Sequence, residues 1–192
     1  MFEPPLDTGA AAGAENSGRA RFRSPRGLMT FDGPNAQARS VLATAQAEAL
    51  KRQTRKRRKL VTTSTGDLLL ALLQLDETPF VELTRTYGLD QDWLRALLRK
   101  SPTTASCQEW GGGRFTPGAV EAIKCGWYLR VGLGGSFYGP EHLLLGLASG
   151  EEGTASQILL QHGLDLASIH RFEHWIWGCS LSSRDRRTSS VA

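Results

Sequence analysis

Apolar residues recur along this chain at spacings of three and four, the period of helices buried on one face. Ala38, Val41, Leu42, Ala45 and Ala49 form one such stripe, and Asn35 stands where an N-cap is expected, so a helix is predicted over about 36–50. Thr62-Thr63-Ser64-Thr65 supplies caps for a second helix over about 65–74, rich in leucine. Thr78-Pro79 starts a third that stops near Tyr87-Gly88, and Asp90 caps a fourth carrying Trp93, Leu94, Leu97 and Leu98. The order then repeats. Thr116 caps and Pro117 begins a helix with Ala119, Ala122, Ile123 and Gly126 inward. Gly139-Pro140-Glu141-His142 opens a leucine-rich helix, with proline at its first position and a carboxylate in its first turn, where the dipole favours it. Residues 153–162 follow with Ala155, Ile158 and Leu159 inward, and Asp165 caps a last helix with Ile169, Phe172 and Ile176 inward.

The duplication can be measured. Thr65-Gly66-Asp67-Leu68-Leu69-Leu70-Ala71-Leu72 and Pro140-Glu141-His142-Leu143-Leu144-Leu145-Gly146-Leu147 lie at one offset, 75 positions. Gly88-Leu89-Asp90 and Gly163-Leu164-Asp165 lie at the same offset. The prediction is an all-α protein of two tandem four-helix repeats packed about a pseudo-two-fold axis, with no sheet. Residues 1–28 read as a disordered tail and 29–100 as repeat one, with a basic insertion at 51–59. Residues 101–114 read as a linker, 115–177 as repeat two and 178–192 as a flexible tail.

Phe115-Thr116-Pro117, Ala119 and the run Gly139 to Leu147 resemble the second half of a Clp N-terminal repeat domain, the double-repeat module at the front of Clp-type AAA+ unfoldases. The first half of the chain resembles it more loosely. The resemblance implies a recognition domain standing alone, without the motor: a non-catalytic module that binds protein, namely Clp substrates, adaptors or Clp unfoldase and protease components. It also implies a role as accessory factor or decoy in Clp-dependent proteolysis, with no cofactor. In some bacteria such repeats hold phosphorylated arginine on substrates. The resemblance assigns the guanidinium to Glu141 and the phosphate to the helix start at Thr116. In repeat one Gly66 stands where the glutamate belongs, and Asn35 or Asp32 where the threonine belongs, so that repeat is expected to be dead.

Charge changes the picture in one place. The net charge of +4 arises because seven of the 23 basic residues (Lys51, Arg52, Arg55, Lys56, Arg57, Arg58 and Lys59) fall within nine positions; the other 16 face 19 acidic residues. The run reads as a self-repelling loop, from which deleting Arg52 to Arg58 is expected to leave the fold intact, able to contact an acidic partner or, without interleaved aromatics for base stacking, the phosphates of nucleic acid.

Other chemistry is weakly represented. The phosphate-cradling G-x-x-x-x-G-K-[ST] loop does not occur, nor does a G-x-S-x-G elbow. Cys107, Cys125 and Cys179 are odd in number and lack C-x-x-C spacing, which argues against a disulfide framework or a zinc knuckle. His170, Glu173 and His174 match H-x-x-E-H, a zinc-peptidase pattern, but the only acid downstream is Asp185, so the expectation is two surface histidines and no metal. His142 is expected to be structural, satisfied by a neighbouring backbone group. No run of 18 apolar residues suggests a membrane span, and the N-terminus lacks the apolar core of a signal peptide, so the cytoplasm is expected.

Overall fold

Eight consecutive residues of one helix, Thr65 to Leu72, are all buried, Asp67 among them. A helix apolar on every side has no solvent face and must be enclosed by others. The computed structural model describes residues 21–24, 27–30, 34–54, 61–100, 106–132, 138–150 and 153–169. From Pro34 onward the order is α1 (Ala36–Thr54), α2 (Thr65–Leu72), α3 (Thr78–Tyr87) and α4 (Gln91–Lys100). A short hairpin follows, β1 (Gln108–Trp110) and β2 (Gly113–Phe115), then α5 (Pro117–Gly132), α6 (Pro140–Ser149) and α7 (Thr154–Gln161). One further turn of helix, 166–169, ends the described chain.

The expected caps are in place. Asn35 Oδ1 accepts from the Ala38 amide at 2.7 Å, and Thr116 Oγ1 accepts from the Ala119 amide at 3.2 Å. Asp90 and Asp165 accept from amides of the turns they precede. Gly88, at φ +64°, closes α3 in the left-handed conformation that glycine adopts without penalty. Ala38, Val41, Ala45 and Ala49 bury the inner stripe of α1; Ala119, Ala122 and Ile123 bury that of α5.

The two halves interlock at their helix starts. The Asn35 amide donates to the Tyr138 carbonyl at 2.9 Å, and the Thr116 amide donates to the Thr63 carbonyl at 2.9 Å. Asn35 and Thr116 are equivalent positions 81 apart, and Thr63 and Tyr138 are equivalent positions 75 apart. Exchanging the halves turns one bond into the other. The parallel bridges Pro34–Tyr138 and Thr63–Phe115 are related in the same way. Tyr87 and His162, again 75 apart, touch directly through His162 Nδ1 and the Tyr87 carbonyl at 2.8 Å, as equivalent residues do beside a two-fold axis. The difference between 81 and 75 is the six residues that repeat one holds in excess between its first two helices.

Three features depart from the sequence reading. First, strands are present. Gly111 and Gly112, at φ +56° and +80°, give the β1–β2 hairpin the two positive-φ residues that a tight two-residue turn requires, so part of the expected linker is ordered. Within and just beyond the N-terminal tail, Arg21–Ser24 and Gly27–Thr30 pair antiparallel, in a unit separate from the one that begins at Pro34. Second, α1 runs to Thr54, so Lys51 and Arg52 are helical and not part of a loop. Third, Gln53 is buried and exchanges two hydrogen bonds with Thr62, its Nε2 donating at 2.6 Å and its Oε1 accepting at 3.0 Å. Removing Arg52 to Arg58 would therefore cut into the core, contrary to the expectation.

Helices α5 and α6 approach most closely through two glycines. A Cβ at Gly146 would run into the carbonyl of Ala122, and one at Gly126 into that of His142. Backbone cannot swing aside as a side-chain tip can. Gly146→Ala is expected to cost about 1–3 kcal/mol, the usual cost of overpacking, and to lower the thermal melting point accordingly. Gly88→Ala probes a different cost, because no atom lies within 4 Å of the added methyl and only φ opposes it. A melt of Gly146→Ala unchanged from the parent would refute the close approach.

Candidate functional site

Two loci hold the residues singled out by the sequence, and each is built around the start of a leucine-rich helix. At the start of α2, Ser64 and Asp67 cap one another. The Asp67 carboxylate accepts from the Ser64 amide at 2.8 Å and its hydroxyl at 2.7 Å, while the Asp67 amide donates to Ser64 Oγ at 3.3 Å. Asp67 is buried, so its charge needs a partner. Arg52 supplies it in a two-pronged pair, Nε to Oδ1 at 3.1 Å and Nη2 to Oδ2 at 2.6 Å, with both side chains almost wholly enclosed. Arg52 is therefore a structural cation and not, as its place in the basic run suggested, a free contact for a partner. Lys51 is its opposite, a side chain 71 % exposed that pairs with Glu48 at 3.0 Å. Arg55, Lys56, Arg57, Arg58 and Lys59 lie outside the described residues.

At the start of α6 the same bond is made by a different residue. His142, 75 positions after Asp67, accepts the Gly139 amide on Nδ1 at 3.1 Å and is fully buried, as the structural reading expected. Trp127, Tyr138 and His142 stack in series, with ring centroids 5.6 and 5.9 Å apart. Burial, Glu141 and Cys125 together push the Tyr138 hydroxyl well above its ordinary range.

Glu141 stands at the edge of this stack. Its carboxylate folds back over Gly139, where any side chain would meet it, and Oε1 lies 3.0 Å from His142 Nδ1. That nitrogen has one in-plane site. The Gly139 amide and the Glu141 carboxylate both lie against it. Among the described residues no lysine or arginine pairs with Glu141. A second carboxylate is near. Glu77, at the N-terminal end of α3, accepts from Gln37 Nε2 at 2.6 Å. Burial and the charge of Glu141 push the Glu77 carboxyl above the ordinary value. The locus is thus an acidic edge made by the starts of α1, α3 and α6.

Thr116 belongs elsewhere. Its amide is taken by Thr63, its hydroxyl caps α5, and it is nearly buried. The interlocking of the halves puts Thr116 beside the start of α2, which carries Gly66, and puts Glu141 beside the start of α1, which carries Asn35 and Gln37. A Cβ at Gly66 would meet Leu98, so the glycine there also makes room for packing. Sequence reasoning missed Glu77 and Gln37, because nothing local marks a contact spanning the repeats. His170, Glu173 and His174 lie outside the described residues. Among the described residues no cluster of three or more metal-ligating side chains occurs, and no helix is long and apolar enough to cross a membrane.

Residues 34–162 match the family model described as the Clp repeat (R) N-terminal domain. Among solved structures, the chain is similar to the N-terminal domain of the caseinolytic protease associated chaperone ClpD from Arabidopsis thaliana. The identity is 16 % and the TM-score 0.52, over 75 % of this chain and 94 % of that one. It is also similar to the Hsp104 N-terminal domain from Candida albicans, at 14 % identity and TM-score 0.53, over 73 % of this chain and 88 % of that one.

Two outcomes follow for this part of the molecule. Arg52→Met is expected to cost on the order of 3–5 kcal/mol by stranding the Asp67 charge, whereas Lys51→Ala should cost under about 1 kcal/mol; urea melts of the two variants check this. Glu77 gives a dependence on pH. Its folded pKa is raised, so its contribution is fully present below the ordinary carboxylate value of 4.5 and is lost as pH rises through the folded value. Glu77→Gln should therefore melt higher than the parent at pH 7, with the gap closing in acid. A gap that does not change with pH would contradict this assignment.

Proposed function

Because the chain belongs to the Clp repeat N-terminal domain family, we propose that it is a non-catalytic protein-binding module that acts as an accessory factor or decoy in Clp-dependent proteolysis. The observation that carries the reading is the Glu141 carboxylate, held at the acidic edge beside His142 with no lysine or arginine paired to it among the described residues. A carboxylate in that position suits a guanidinium, which it can hold through paired charge-assisted hydrogen bonds. Glu77 adds a second carboxylate, and a bound cation would offset the repulsion from Glu141 that, after burial, raises its pKa. The ligand proposed is a phosphorylated arginine on a protein substrate. The guanidinium would lie on Glu141, and the phosphate would meet the N-terminal end of α1 near Asn35 and Gln37, where helix amides favour an anion. Thr116 is assigned no direct contact in this reading, because it lies at the junction with α2 and not at the start of α1. That other locus has Gly66 in place of a carboxylate and is proposed to be silent.

Within these 192 residues there is no phosphate-cradling loop, so ATP-driven unfolding is not assigned to them. Calorimetry with free phosphoarginine tests the proposal. One site per chain is expected, abolished by Glu141→Ala and kept by Thr116→Ser, with both variants melting close to the parent. Two sites, or no heat at millimolar ligand, would refute it.

A further inference from the structure

A second surface is built on cations. The C-terminal end of α1, one side of α2 and α4 line an open cavity of about 410 Å³, whose charged wall is Glu48, Lys51, Arg52, Asp67, Arg95 and Arg99. Four positive groups face two negative ones. Arg52 and Asp67 cancel, since each is committed to the other. Glu48 is shared by Lys51 at 3.0 Å and Arg95 at 3.6 Å, one carboxylate against two cations. Arg99 adds a further positive charge. Burial pushes the Glu48 carboxyl up, but Lys51, Arg95 and the Gln74 amide outweigh it and hold the group below its ordinary value. Arg95 also reaches Asp92 at 2.9 Å, a side chain 90 % exposed that does not line the cavity. The wall therefore carries an excess of about two positive charges on a concave surface, which focuses the field on whatever enters it.

We propose that this cavity is a docking site for an acidic peptide segment of a protein partner, with a carboxylate side chain seated among Lys51, Arg95 and Arg99. A peptide fits better than a nucleic acid. The cations line one cavity, and no aromatic ring lines it for a base to stack on. The sequence continues from Thr54 with five cations in succession, which adds long-range attraction for an acidic segment. The site deepens the reading of the chain as a protein-binding module. It gives that module a second surface of opposite sign to the Glu141 edge, so one partner can be held by its acidic residues while a phosphorylated arginine is held elsewhere.

Fluorescence anisotropy of the full chain with labelled hexaglutamate tests the assignment. Saturable binding at low salt is expected, weakening as salt is added. Arg95→Gln/Arg99→Gln should weaken it about tenfold, from two lost pairings of the order of a surface ion pair each. Arg99→Gln alone, at an exposed position, should weaken it severalfold without touching the fold, and Arg85→Gln on α3 should change nothing. The site is overturned by an absence of saturation below millimolar peptide, by variants that bind like the parent, or by tighter binding of an oligothymidylate of equal charge. Phosphoarginine calorimetry on the same samples separates the two proposals. Loss of hexaglutamate binding with phosphoarginine retained removes only the cavity, and the reverse removes only the Glu141 reading.

Discussion

Two helices of this fold have almost no solvent face, and much of the rest of the structure answers the problem this creates. A helix start leaves amides without partners, and burying them unsatisfied is costly. At α2 and α6 the same bond meets the need, from the amide of the N-cap residue to the side chain three positions on. Asp67 makes it in one half and His142 in the other. The chemistry of that one position sets what each half can do next. A buried aspartate brings a charge, so the fold must supply Arg52, and the end of α1 is committed to the core. A histidine at that position brings no carboxylate, and among the described residues no arginine or lysine is drawn to the neighbouring Glu141.

The second constraint is the exchange between halves. Each first helix begins beside the second helix of the other repeat, because the Asn35 and Thr116 amides cross to Tyr138 and Thr63. A locus at either helix start is therefore composite. Glu141 acts with residues of α1 and α3, and Thr116 lies with Ser64 and Gly66. Glu141 and Thr116, which the repeat pattern groups within one half, therefore stand at two different helix junctions.

Much of this was legible in the sequence, for local reasons. Caps, prolines at first helical positions, closing glycines and the leucine runs are short-range signals, and Asn35, Pro117, Gly88 and Asp165 each sit where they were read. The duplication was legible because equivalent positions keep one offset. Arg52 was misread because a run of like charges suggests solvent, whereas only the fold brings Asp67, 15 positions away, against it. The Gly111-Gly112-Gly113 stretch was read as linker because glycine marks both linkers and tight turns, and Trp110 packing on Phe115 favours the turn. Glu77 and the Arg95–Arg99 wall were illegible, since each depends on elements that meet only through the tertiary packing.

The distribution of charge follows from these constraints. Helix α2 needs a cation at the end of α1 to bury Asp67, and an α1 that ends in cations has a favourable dipole interaction there. Once Arg52 is consumed, Lys51 beside it and Arg95 and Arg99 across the gap remain near the surface, against a single further carboxylate. Helix α6, capped by histidine, needs no such cation. Its first turn keeps a carboxylate instead, and Glu77 adds another. The positive cavity and the negative edge are therefore linked consequences of the same substitution, aspartate in one half and histidine in the other, at one buried capping position.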